Sequence, residues 1–211
     1  MKAFKLTFMA ALTCLLFTAK SNAQKLYIGA KAGVNLSKTS GDNLDGDFKG
    51  YFLGGAVVGV KLSAIRVQGE LLFTQTSLTT GDNFGNAFGN YLTTAGKNLK
   101  NGTFKQSEIA VPVTVGFNLI PKLLWISAGP QFSGVVSTTD ASEFVKDTKS
   151  VVKKGYVSGV VGAEVQLPFK LNAGVRYVFG LSDMNNVGDV SDSWKSSQVQ
   201  VHVGITLFNL L

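Results

Sequence analysis

The sequence predicts an all-β protein, an eight-stranded antiparallel up-and-down transmembrane β-barrel. Three observations carry this reading. The 211-residue chain is 45% apolar and only 16% charged, with a mean hydropathy of +0.21. Yet beyond residue 23 no run offers the roughly 18 uninterrupted apolar residues of a spanning helix. Apolar and polar residues instead alternate with period two through eight segments, and the connections between them are alternately short and long. This composition excludes a disordered chain, a coiled coil and a helical membrane protein.

Residues 1–23 read as a cleaved signal peptide, leaving residues 24–211 as the barrel domain. Lys2 and Lys5 form a basic start, Leu6 to Phe17 an apolar stretch, and Ser21-Asn22-Ala23 a small-residue cleavage site. The segment holds Lys2, Lys5 and Lys20 and no acid, so its removal lowers the formal charge from +7 to +4. Much of the basic character leaves with it, and no basic stripe with interleaved aromatics follows, so no nucleic-acid partner is expected. Cys14, the single cysteine, is also lost. That excludes a disulfide framework and a thiolate zinc site.

Taken in order, segment one sets Leu26, Ile28, Ala30, Ala32, Val34 and Leu36 against Tyr27, Gly29, Lys31, Gly33, Asn35 and Ser37. One face is wholly apolar and the other small or polar, as on a half-buried strand. Segment two, about 50–63, carries Phe52, Ala56, Val58, Val60 and Leu62 on one face. In segment three, about 65–77, Ile65, Val67, Leu71 and Phe73 oppose Arg66, Gln68, Glu70 and Thr74. Segment four, about 104–119, opposes Ile109, Val111, Val113, Val115, Phe117 and Leu119 to Glu108, Thr114, Gly116 and Asn118. Segments five (124–136), six (about 157–167), seven (about 171–182) and eight (about 198–207) repeat the split. Their polar faces carry Gln131, Glu164, Arg176 and His202. Strands of 11 to 14 residues suit a tilted membrane crossing.

The short connections are Ser63-Ala64, Ile120-Pro121-Lys122 and Pro168-Phe169-Lys170; the long ones cover about 38–49, 78–103, 138–155 and 183–196. An outer-membrane barrel of a diderm bacterium has this pattern, with tight periplasmic turns and long outer loops, which puts both termini in the periplasm. A soluble barrel would bury the apolar face and would have no reason to alternate its connection lengths. Gly33, Gly59, Gly116, Gly162, Gly174 and Gly204 fall on the polar face, where they relieve crowding in a narrow tube.

The stretches Gly69-Glu70-Leu71-Leu72-Phe73-Thr74-Gln75 and Glu108-Ile109-Ala110-Val111-Pro112-Val113 resemble those of the PorT-like family of small outer-membrane β-barrels. So do Ala128-Gly129-Pro130-Gln131-Phe132, Gly162-Ala163-Glu164-Val165 and Gly174 to Asp183, all in the same order. The resemblance spans the chain after residue 23. It differs at Phe208-Asn209-Leu210-Leu211, where such barrels usually end on an aromatic. It implies an eight-stranded outer-membrane barrel but no single activity, the namesake serving in protein secretion.

The alternation gathers an interior polar network of Lys31, Arg66, Glu70, Glu108, Glu164, Arg176 and His202, with Lys61 also inward. Near-balanced charge reads as a network that plugs the tube rather than an ion-selective pore. His202, the single histidine, is expected to be a satisfied interior residue. Catalysis would need a serine or carboxylate such as Glu70 beside it, and a route for substrate. No catalytic, cofactor or metal residue is assigned: Asp42, Asp45 and Asp47 lie in a turn-rich loop that lacks the closing glutamate of a calcium loop.

Phe84, Phe88 and Tyr91 load the second long connection with aromatics, which would touch lipid headgroups, fold over the barrel mouth or bind a protein partner. Outward Phe52, Phe73, Phe132, Tyr177 and Phe179 form an aromatic girdle. The sequence therefore predicts a monomeric, non-enzymatic barrel in contact with outer-membrane lipid, structural or partner-binding through its loops. A transport or secretion component and a lipid-modifying barrel enzyme are the alternatives.

Overall fold

A computed structural model describes residues 24–97, 102–139, 153–187 and 192–210. The predicted signal peptide lies outside the described residues, as does most of the 138–155 connection. The eight alternating segments form eight long strands. These are β1 (Gln24–Ser40), β2 (Lys49–Leu62), β3 (Ile65–Thr80), β4 (Thr103–Ile120), β5 (Leu124–Thr139), β6 (Gly155–Gln166), β7 (Leu171–Gly180) and β8 (Lys195–Asn209). Each pairs antiparallel with its neighbour in sequence. β1 closes the tube on β8, with Val34 opposite Val201 and Lys31 opposite Gly204. A two-residue strand, Leu44–Asp45, adds to the end of β3.

The pleat then decides which side chains meet lipid. Val203 is 60% exposed while its neighbour His202 is 4% exposed. The same inversion places Phe52, Val58, Leu71, Phe117 and Val175 outside, and Lys31, Glu70, Glu164 and Arg176 inside. A water-soluble fold does not expose its large apolar side chains while burying its charges; a barrel in lipid does. Among the described residues no helix is long and apolar enough to cross a membrane, and the strands do the crossing.

Three short turns and the first and last described residues share one end, where the Leu210 amide donates to the Leu26 carbonyl at 2.8 Å. At the opposite, loop end β1, β3 and β4 run past the last alternating apolar residue, so the first two long connections are shorter than the sequence suggests, while the fourth keeps its length but is shifted two residues earlier. Ser, Thr and Gln continue the backbone pairing there, since nothing outside lipid demands an apolar face. β2 and β3 part above the Leu53–Thr74 pair. β3 stays on β4 as far as Thr79–Thr103 and leans onto the inner face of β1. There Asn35 Nδ2 donates to Thr74 Oγ1 at 3.0 Å, and Thr39 Oγ1 to the Ser77 carbonyl at 2.9 Å. The mouth is thereby narrowed by the wall itself.

Candidate functional site

The charged residues of the inward faces meet in one layer across the tube. Glu70 on β3 takes Lys31 Nζ of β1 at 2.8 Å with one oxygen and Arg176 Nη1 of β7 at 2.8 Å with the other. Glu164 on β6 takes Arg66 Nη1 of β3 at 2.6 Å. Its second oxygen lies 3.9 Å from Lys31 Nζ and 3.6 Å from His202 Nε2. Gln68 and Gln166 donate to Glu70 and Glu164, and Tyr27 donates to Gln68. Two carboxylates thus hold three cations drawn from β1, β3 and β7, each buried. Such pairs break even only when their remaining lone pairs and protons are also bonded, and the glutamines and Tyr27 do much of this.

Glu108 stands apart from the ion pairs. Its oxygens accept from Tyr156 Oη at 2.6 Å and Thr76 Oγ1 at 2.7 Å. Among the described residues no cation lies within ion-pair distance of it. A ladder of glutamines still joins it to the charged layer. Gln198 Nε2 donates to Tyr156 Oη at 3.3 Å, Gln200 Nε2 donates to Gln198 Oε1 at 2.9 Å, and Arg176 Nε donates to Gln200 Oε1. The structure therefore brings all seven predicted interior residues together, Glu108 through this ladder rather than by a charge. Period two placed them on one face; the linking roles of Tyr27, Tyr156, Gln198 and Gln200 carried no sequence signal beyond that parity.

Lys61 is half-buried at the turn end, 3.4 Å from Gln166 Oε1, with its ammonium over the rings of Tyr27 and Trp125. The carboxylate nearest His202 is Glu164, at 3.6 Å, rather than Glu70, and Arg66 already engages it. Neither imidazole nitrogen makes a hydrogen bond, so the histidine is buried but not satisfied as the sequence suggested. Gly174 faces His202 on the adjacent strand, and a Cβ there would lie 2.8 Å from the imidazole Nε2. The imidazole fits because the neighbouring residue has no side chain.

Above this polar column sits an apolar cap. Phe84 and Phe88, from the helical turn α1 (Phe84–Ala87) and its end, stack at 4.7 Å. Trp194 closes on Phe88 at 5.3 Å, and Leu78, Leu92, Phe104, Tyr156, Met184 and Val187 complete the cluster, with Tyr91 packed at its edge. Of the three expectations for the aromatic second connection, folding over the mouth is the one observed. The Asp42, Asp45 and Asp47 side chains do not converge. Instead the Asp192 carboxylate accepts from the Asp42 amide at 2.7 Å, the Asn43 amide at 3.2 Å and Asn43 Nδ2 at 3.0 Å, latching the first connection to the fourth. Among the described residues no group of three His, Cys, Asp or Glu side chains gathers to hold a metal.

A family model described as the outer membrane protein beta-barrel domain matches residues 21–186. The chain belongs to this family. Two solved outer-membrane barrels are similar in structure. Ail, the attachment invasion locus protein of Yersinia pestis, crystallised with the heparin analogue sucrose octasulfate, shares 8% identity at a TM-score of 0.48, covering 87% of this chain and 99% of Ail. Neisserial surface protein A shares 14% identity at 0.47, covering 85% and 97%. No curated protein matches the sequence.

As an outer membrane protein beta-barrel domain, the chain is placed in the outer membrane. Among the described residues, side chains fill the lumen at the charged layer. Beside the charged layer lie cavities of about 20 Å³ and 10 Å³, room for a water molecule or so. An eight-stranded barrel is about as wide as its own inward side chains, and here they occupy it.

Proposed function

We propose that this outer-membrane barrel is a monomeric, non-enzymatic envelope protein that spans the membrane with a closed lumen. It acts through the surface its loops build, structurally or by holding a partner. The observation that supports this is closure at two levels, the ion-paired layer of Lys31, Glu70, Arg176, Arg66 and Glu164 and the apolar cap around Trp194. A conduit needs a continuous aqueous path, and side chains fill this one. His202 lies against a carboxylate already engaged by Arg66, an arrangement that suits a structural histidine better than a general base.

The reading includes PorT-like kinship, removal of residues 1–23 on export, and an orientation with turns and termini in the periplasm and the capped end outside. Purified protein refolded into planar bilayers is expected to give no stable conductance, and steady single-channel steps would overturn the closed-lumen reading. Orientation has its own test, because the barrel domain lacks cysteine. A bulky maleimide added to intact cells should label Asn86→Cys in the cap and spare Lys122→Cys at the turn end. Labelling of the second alone would invert the orientation.

A further inference from the structure

Outside the lumen the carboxylates gather at one end of the barrel, whereas lysines occur at both ends. Among the described residues every carboxylate outside the lumen (Asp42, Asp45, Asp47, Asp82, Asp183 and Asp192) belongs to the loop end. The turn end carries exposed Lys25, Lys122 and Lys170 and, among the described residues, no acid. Around these lysines the apolar outer face continues into the turns themselves. Leu119 and Leu123 flank Lys122, Phe208 and Leu210 flank the closing strand, and Phe169, beside Lys170, is 90% exposed.

The backbone adds an independent observation. Among the described residues four non-glycine residues have positive φ, and all four lie in the turn-end turns: Ser63 at 53°, Lys122 at 63°, Phe169 at 61° and Lys170 at 62°. Two-residue hairpin turns with both central residues at positive φ favour Asn-Gly, because a branched or bulky side chain is strained there. The third turn puts Phe169-Lys170 at those two positions, closed by the Leu171 amide on the Pro168 carbonyl at 3.3 Å. An aromatic and a lysine are thus held where the backbone favours neither, both directed away from the barrel.

We propose that the turn end is a contact surface for anionic phospholipid headgroups, with Lys25, Lys122 and Lys170 on the phosphates and Phe169 at the apolar boundary. The proposal rests on the membrane-spanning reading above. Cations bordering an unbroken apolar band lie at the depth of the phosphate layer, where lysine stems cover hydrocarbon and the ammonium reaches the headgroup. A soluble acidic partner would need no such band, so lipid is the occupant that the flanking leucines and Phe169 favour.

The test uses Phe169→Trp in the full barrel, refolded into phosphatidylcholine vesicles that contain a minor fraction of brominated lipid. Trp125 and Trp194 are buried inside and give a constant background. Brominated phosphatidylglycerol is expected to reach half-quenching at about a fivefold lower fraction than brominated phosphatidylcholine, the preference of roughly one well-placed lysine. Lys25→Gln/Lys122→Gln/Lys170→Gln should remove the preference, and high salt should weaken it in the parent reporter whether or not the triple variant folds. Equal quenching by the two lipids overturns the proposal and leaves these lysines to an acidic protein. So does a preference that survives both the triple variant and salt. If neither lipid quenches and the heated and unheated proteins migrate alike on a gel, the membrane-spanning reading has failed and the proposal falls with it.

Discussion

Arg176 on β7 and Glu70 on β3 meet across the width of the barrel, Nη1 to Oε2 at 2.8 Å, although 106 residues separate them in sequence. The same carboxylate holds Lys31 of β1. One side chain thus ties three parts of the wall together through the lumen, and it is the point at which the network is most exposed to substitution.

Glu70→Gln should be strongly destabilising. It leaves Arg176 buried without a carboxylate and Lys31 with only Glu164 at 3.9 Å, and removing one partner of a buried ion pair costs about 3–5 kcal/mol. Urea unfolding in lipid vesicles, followed by the loss of the unheated gel mobility, should show a lower midpoint. A midpoint within error of the parent would mean that Glu164 or water carries both cations.

Gly59 faces Tyr27 across the β1–β2 pair, and a Cβ at position 59 would lie 2.5 Å from Cζ and 2.7 Å from Cε1 of the tyrosine ring. Gly59→Ala should cost about 1–3 kcal/mol by overpacking. Because the clash is with a side chain and not the backbone, Tyr27→Ala should relieve part of it. A double-mutant cycle that returned no coupling would place the cost in the strand itself.

Trp194→Ala removes the central ring of the cap, which is fully buried. Large-to-small changes at such aromatic sites cost about 3–5 kcal/mol, and here the loss should fall on the loops, not the hydrogen-bonded wall. Protease should cut the loop end of the folded variant faster while conductance stays absent, since the charged layer below still closes the tube. Conductance in this single variant would make the cap the principal barrier.

The Asp192 latch should be pH-dependent. Burial disfavours the charge of this carboxyl, but hydrogen bonds from the Asn43 side chain and the Asp42 and Asn43 amides outweigh burial and hold it below the usual carboxylate range. A group whose pKa is lower folded than unfolded adds stability above its unfolded value, about 3.9 for aspartate. That stability is lost as pH falls through the lower, folded value. Hydrogen exchange at the Asp42 and Asn43 amides, corrected for its intrinsic rate, should therefore be protected at neutral pH and lose protection only below about pH 4. Asp192→Asn should abolish that transition. Equal protection in the variant would show that the carboxylate charge is not what holds the latch.

Much of the wall was legible because parity is a local property. Lys31, Arg66, Glu70, Glu108, Glu164, Arg176 and His202 each alternate with apolar neighbours on their own strands, so their inward direction follows from two or three adjacent residues. The pairing of Glu164 with Arg66 and His202, and the isolation of Glu108 beneath the cap, were not legible. They depend on the stagger between strands distant in sequence, and a shift of register exchanges one partner for another without altering the alternation. The latch between Asp192 and Asn43 was hidden for a related reason, since irregular loops carry no period to read.

By itself, the sequence determined that eight strands would cross, which residues would face lipid, and that short turns would alternate with long connections, because lipid requires an apolar residue at every second position. The tertiary structure alone decided which of the described side chains fill the lumen and support its proposed closure. Closure depends on side chains from opposite walls meeting at ion-pair and van der Waals distance, and on Phe84, Phe88 and Trp194 folding back over the mouth. Both depend on distances between segments far apart in the chain, and these exist only once the barrel has closed.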